Sequence, residues 1–373
     1  MKFERFREAF SNLLDLNNIA EWNYLTQFGR GLSDEAKEQQ IEYIKGYIAE
    51  ARSEISPGIN SYLRGYINFL QGNLAEQIAC YQDASNLNNL PAMVALATIY
   101  KSPKTCKLYG ITGNPADLKQ NAIHLCEKAM GFGCIDAMVI LADIYAYEEE
   151  RHKQGIELYK RASQTSSYAN VAYGNLLLRS GDYLSAEESF NNAHKLDNNY
   201  SFTLFSLGNL YKEKWQLPEA KNAYSQAAML DDSNAMLKLA QLLLKEEEEE
   251  SIREAEALLM RAVELGNPFA MHRLAILLDR KGKDPEELYR RSAKLGNPYA
   301  MDSLAIFLQG KKEYDRDEII QLYTKAMELG CKKSGRHLKT FNQSEVPTII
   351  NQSEVPTIIS RYMQILEQLR AIQ

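Results

Sequence analysis

Several kinds of chemistry are missing from this 373-residue sequence. It has five cysteines, an odd number, and no C-x-x-C pair. That argues against a disulfide framework or a zinc-finger spacing. His124 lies two residues before Cys126, but this spacing does not recur, so reduced thiols in helix packing are expected. Basic residues are not in excess: 43 Lys and Arg stand against 49 Asp and Glu, for a net charge of −6. A nucleic acid or an anionic membrane surface would demand the opposite sign, so neither is an expected partner. No segment approaches the roughly 18 apolar residues of a membrane span. The opening MKFERFREAF alternates charge with Phe and lacks an apolar run, the pattern of a cytoplasmic chain without a signal peptide. There is no Walker loop, dinucleotide fingerprint, nucleophile elbow, H-E-x-x-H or kinase signature. The five histidines (124, 152, 194, 272 and 337) are scattered. No catalytic, cofactor-binding or metal-binding residue is therefore nominated, no cofactor is expected, and no small-molecule substrate is evident.

What the sequence does contain is repetition. Related segments begin at Ala92, Ala137, Ala169, Thr203, Ala235, Ala270, Ala300 and Ser334. After the first, longer gap they recur about every 33 residues, the period of a helix-pair repeat. A second anchor, a large residue followed three positions later by a small one, stays in phase with the first. It appears as Tyr81/Ala84, Cys126/Ala129, Tyr159/Ala162, Phe190/Ala193, Tyr224/Ala227, Leu259/Ala262, Tyr289/Ser292 and Tyr323/Ala326. Within the first segment, Leu207, Gly208 and Tyr211 share one helical face, as do Leu141, Ala142 and Tyr145. The large residues fill the space between helices. The small residue between them lets a neighbouring helix approach, so Gly174, Gly208, Ala240, Ala275 and Ala305 are expected at buried helix contacts. Turns are marked by Arg179-Ser180-Gly181-Asp182, Gly266-Asn267-Pro268 and Gly296-Asn297-Pro298. One hairpin cannot bury its apolar face alone, so the pairs must stack.

Leu207-Gly208-x-x-Tyr211, with Ala220, Tyr224 and Ala227, resembles the tetratricopeptide repeat. The units at 262–278 and 292–308, which share LGNPxAMxxLAxxL, are similar to the related Sel-1-like repeat. The resemblance spans residues 57–341. It implies an all-α fold, a right-handed α-solenoid of about eight helix pairs with N- and C-terminal helical caps. It also implies a scaffold or adaptor that holds a protein or peptide partner. Chaperone adaptors, assembly factors and host-interaction factors of intracellular bacteria are of this type.

The pattern breaks in four places. Residues 1–56 lack the repeat. They carry helical stripes at Phe3, Phe6, Phe10 and Leu13 and at Ile41, Ile44, Ile48 and Ala51, with a helix start at Ser33-Asp34-Glu35, and read as an N-terminal helical cap or module. The long gap holds an insertion at 101–115, expected as a loop. Glu246 to Glu250 form an acidic run, expected as a solvated turn. NQSEVPTII occurs twice without a gap, at 342–350 and 351–359. This reads as a duplicated linker after the helix of Leu338 and Phe341 and before a capping helix at 360–373.

The resemblance also nominates a binding surface, the outward face of the first helix of each pair. The matching positions are Tyr168, Val171, Asn175, Phe202, Phe205, Asn209, Lys212, Leu237, Gln241, His272 and Asp302. Asn175 and Asn209 follow the contact glycines, where members that hold acidic chaperone tails carry an asparagine pair. The cations that complete such a clamp are missing: Val171 and Phe205 occupy lysine positions, and Leu237 and Gln241 stand where Lys and Arg would. A peptide main chain with apolar side chains is thus the expected ligand, and free acidic C-termini are expected to bind poorly. Two alternatives stand beside this reading: self-assembly of the array, and an enzyme sited in 1–56 together with the 101–115 insertion.

Overall fold

The computed structural model describes residues 34–50, 55–311 and 313–344, and these contain nineteen helices and no strand. The chain divides into two compact units, Met1–Lys283 and Asp284–Gln373.

In the first unit, α1 (Asp34–Glu50) precedes the pair α2 (Pro57–Gln71) and α3 (Leu74–Asn86). The next pair is α4 (Leu90–Tyr100) and α6 (Pro115–Gly131), with the short α5 (Pro103–Leu108) between them. Four further pairs follow: α7 (Ile135–Ala146) with α8 (His152–Ala162), α9 (Ser167–Ser180) with α10 (Tyr183–Leu196), α11 (Ser201–Glu213) with α12 (Leu217–Met229), and α13 (Ser233–Leu243) with α14 (Glu249–Glu264). The unit's last helix is α15 (Pro268–Arg280). The second unit holds α16 (Glu286–Lys294), the pair α17 (Pro298–Gln309) and α18 (Arg316–Glu328), and α19 (Ser334–Ser344).

Local sequence explains where the helices start. Asn267 and Asn297 each precede a proline at the first helical position. The Asn267 side chain accepts from the backbone N–H groups of Phe269 and Ala270, and Asn297 accepts from that of Tyr299. Asn89, Ser166 and Asp232 cap α4, α9 and α13 in the same way. Each cap satisfies donors that have no partner inside the helix, typically worth about 1 kcal/mol.

The contacts inside the pairs follow the expected register. A Cβ on Gly208 would stand 2.5 Å from Cδ1 and Cε1 of Tyr224, and one on Gly174 2.5 Å from Cε1 of Phe190. Gly65 meets Tyr81 in the same way, which places the first pair in the array although its first helix lacks the Ala-Met signature. Ala240, Ala275 and Ala305 are fully buried. In α7 and α8 the backbones themselves approach: a Cβ on Gly155 would lie 2.8 Å from the Ala146 nitrogen.

The irregular segments are more ordered than their composition implies. The 101–115 insertion is not an open loop. Ser102 caps α5, and Cys106 and Tyr109 bury themselves in the same core as α2 to α7. In the acidic run, Glu246 pairs with Lys221 and accepts from Ser251 Oγ at 2.9 Å. Glu249 and Glu250 form the first turn of α14, where carboxylates favour the helix dipole. In α1, Ile41 and Ile44 are buried and Ile48 packs against the same core. Phe3, Phe6, Phe10, Leu13, Ser33 and Ala51 lie outside the described residues. So does the duplicated segment, apart from its first residues at the end of α19, and so does the helix expected at 360–373.

Candidate peptide-binding surface

The residues nominated in the first unit lie on α9, α11, α13 and α15, the first helices of consecutive repeats. Their placement is uneven. Val171 is fully buried, Leu237 is 6% exposed and, in the second unit, Asp302 is 7% exposed. These three are buried instead of facing outward, which corrects the expectation for them. The reason is geometric. Each stands three residues before the small contact residue of its helix (Gly174, Ala240 or Ala305), a rotation of only about 60° from the packing contact. A side chain of modest size at that angle ends in the core. Asp302 instead accepts Ser334 Oγ at 2.7 Å and lies 2.9 Å from His337 Nδ1.

Phe205 occupies the same helical position before Gly208, but its ring reaches further and stays half-buried. It stacks on Phe202 at a centroid distance of 6.1 Å and an interplanar angle of 18°. Phe202 meets Tyr200 edge-on at 6.1 Å, and Phe205 contacts the ring of Tyr224 at 6.0 Å. The Tyr224 hydroxyl then donates to Asn209 Oδ1 at 2.8 Å. One helix with its partner thus carries four rings in sequence, closed by an amide whose acceptor is used and whose Nδ2 donors meet no acceptor among the described residues.

The remaining candidates are partly accessible. Tyr168 is half-buried. Burial, and then the carboxylates of Asp143 and Asp136, hold its phenol well above its ordinary range, so it remains a neutral donor. Asn175 and Gln241 are half-buried, as is His272. Lys212 is exposed, with Nζ 3.6 Å from Glu213 Oε1.

Reading the sequence missed two members. Tyr200, the residue before α11, extends the aromatic run. Asp136 is buried at the start of α7, and its charge bears on both Tyr168 and Tyr200. Desolvation pushes the Asp136 carboxyl up to about 6. Neither had a signal in the repeat pattern, because both positions vary in type from repeat to repeat. Among the described residues, no group of three or more His, Cys, Asp or Glu could hold a metal ion. No helix among them is long and apolar enough to cross a membrane.

Comparison with solved structures agrees with this architecture. Yeast Tom70 matches 84% of this chain and 68% of its own at 16% identity, with a TM-score of 0.57. The chain has a helical-repeat fold of the same kind. Two further matches are c5321, a protective antigen of uropathogenic Escherichia coli, and a Sel1 repeat protein from Oxalobacter formigenes. The first shows 19% identity over 84% of this chain and 68% of that one, with a TM-score of 0.42. The second shows 20% identity over 54% of this chain and 86% of that one, with a TM-score of 0.43. No protein-family description and no curated protein sequence matches the chain.

Proposed function

We propose that this protein is a non-catalytic scaffold or adaptor that holds a peptide segment of a partner protein along the first helices of its central repeats, centred on α11. The observation that carries this reading is the aromatic run Tyr200–Phe202–Phe205–Tyr224 ending on Asn209. Tyr200, Phe202 and Phe205 remain half-buried in the free protein and have apolar area left to bury against a ligand, while the buried Tyr224 holds Asn209 beside them. An amide whose donors are available can bind a main-chain carbonyl beside them. Val171 and Leu237 lie in the core, so Phe202 and Phe205 supply the apolar seat. The nearest exposed cation on this helix, Lys212, already lies against Glu213. A free acidic C-terminus would therefore bind without strong charge-assisted partners.

The test is affinity capture from a lysate followed by mass spectrometry, then fluorescence anisotropy with the captured segment. Asn209→Asp keeps the acceptor that Tyr224 needs and removes the donors, so it separates binding from folding. Weakening by about tenfold or more with Asn209→Asp and with Phe205→Ala, at unchanged helical circular dichroism, supports the proposal. A partner held equally well by a Tyr168→Glu, Phe205→Glu double variant refutes it. Micromolar binding of an acidic C-terminal tail, lost in Asn209→Asp, would show that the missing cations were misread.

A further inference from the structure

The turn between α11 and α12 carries a second feature that the repeat pattern does not account for. Four repeats of the first unit close their first helix with the same pair of backbone bonds. Gly72 N bonds Phe69 O at 3.1 Å and Asn73 N bonds Asn68 O at 2.9 Å. Gly181 and Asp182 repeat this on Leu178 and Leu177, and Gly282 and Lys283 on Asp279 and Leu278. Trp215 N bonds Lys212 O at 3.1 Å and Gln216 N bonds Tyr211 O at 2.8 Å. This closure puts its first residue in the left-handed region, with φ of 81°, 82° and 69° at the three glycines and 59° at Trp215. Glycine adopts that conformation without steric cost, whereas a residue as bulky as tryptophan does not. The side chain gains nothing from the core in return, because Trp215 is 86% exposed. An unfavourable backbone conformation that holds a large apolar side chain in solvent points to a use outside the fold.

Beside Trp215 is a cavity of about 710 Å³. Leu217, Pro218 and Leu242 line it together with Trp215. Lys212, Lys221 and Lys245 stand around them. Glu246 neutralises Lys221, and Glu213 lies 3.6 Å from Lys212 Nζ. Lys245 is exposed and forms no ion pair with the described residues. The cavity lining carries three lysines and two glutamates, and the ammonium left without an ion pair, that of Lys245, is complementary to a carboxylate next to an apolar side chain.

We infer that this cavity is a second docking site, separate from the α11 aromatic run, and that it takes an acidic-aliphatic segment of a partner protein. An aliphatic side chain would seat against Trp215, Leu217 and Pro218, and an adjacent carboxylate would meet Lys245. The inference does not depend on the peptide reading of the α11 surface.

Trp22 and Trp215 are the chain's two tryptophans, so Trp22→Phe leaves Trp215 as the single fluorophore. The probes are acetylated, amidated peptides of sequence Asp-Leu-Pro-Leu-Asp and Lys-Leu-Pro-Leu-Lys. The acidic peptide is expected to shift Trp215 emission to the blue in a saturable manner, and the basic one to bind at least tenfold more weakly. Lys245→Glu should weaken the acidic peptide at least tenfold, while Phe205→Ala should leave it unchanged. Trp215→Gly should keep or raise the urea midpoint, because glycine suits the turn, and should abolish binding of the acidic peptide as read by isothermal calorimetry. Isothermal calorimetry on the unmodified chain repeats the measurement without the Trp22 substitution. Equal binding of the two peptides, no saturable response to either, or undiminished binding by Trp215→Gly overturns the inference. A blue shift that appears on raising the protein concentration alone would also overturn it, by showing that the cavity is filled by a second copy.

Discussion

Gly208→Ala would place a Cβ 2.5 Å from Cδ1 and Cε1 of Tyr224. Carbon atoms in ordinary contact sit about 3.5–4.0 Å apart, so the ring must retreat by about 1 Å. It has little room to do so. Tyr224 is fully buried and its hydroxyl is bonded to Asn209 at 2.8 Å, so retreat strains both the packing and that bond. Overpacking of this kind costs about 1–3 kcal/mol. Replacing a mid-helix glycine by alanine returns about 0.5–1 kcal/mol of backbone entropy. The net expectation is a loss of up to about 2.5 kcal/mol. Gly46→Ala is the control: it lies in α1 with nothing within 4 Å of the new Cβ, and should stabilise by about 0.5–1 kcal/mol. Urea unfolding followed by circular dichroism measures both. In a Tyr224→Leu background the Gly208→Ala penalty should shrink, a coupling that a double-mutant cycle isolates. If Gly208→Ala and Gly46→Ala shift the midpoint in the same direction by similar amounts, the register argued here is wrong.

Two further expectations concern buried carboxylates. The folded-state pKa of Asp136 lies at about 6, above the ordinary value near 4, because burial disfavours its charge. Between these values the folded state binds more protons than the unfolded state, so this residue lowers stability progressively as pH rises through that window. Asp136→Asn should be nearly neutral at pH 4 and more stable than wild type at pH 7, by up to about 3 kcal/mol. A difference that does not change between those pH values would contradict the assignment. In the second unit, Asp302→Ala removes the acceptor of Ser334 and the partner of His337, and should destabilise that unit by about 1–3 kcal/mol without changing peptide affinity. A stable Asp302→Ala protein with weakened binding would return Asp302 to the ligand surface.

The helical-repeat class and the register of its contacts were legible because they depend on local periodicity. Small residues recur in phase with large ones, and this dictates which faces must meet; Gly174 and Gly208 sit against Phe190 and Tyr224 accordingly. Helix starts were legible for the same reason, since Asn267-Pro268 and Asn297-Pro298 carry their capping chemistry in adjacent residues. Which of the outward positions reach solvent could not be read in this way. Val171, Phe205, Leu237 and Asp302 are equivalent in the repeat, yet only the phenylalanine is large enough to extend past the packing contact, and the others are buried where neighbouring helices pack together.

The sequence by itself determined the periodic part of this protein: helix faces, caps, turn glycines and the small-against-large contacts, all set by groups within one or two turns of each other. Tertiary structure alone decided the rest. Cys106 and Tyr109 of the insertion are drawn into the core because apolar area from several helices surrounds them. Asp136 shifts toward neutrality because its neighbours exclude water. Trp215 sits at the glycine position of its repeat, but only the fold shows that its ring stands 86% exposed beside a cavity, since exposure depends on every element that could have covered it.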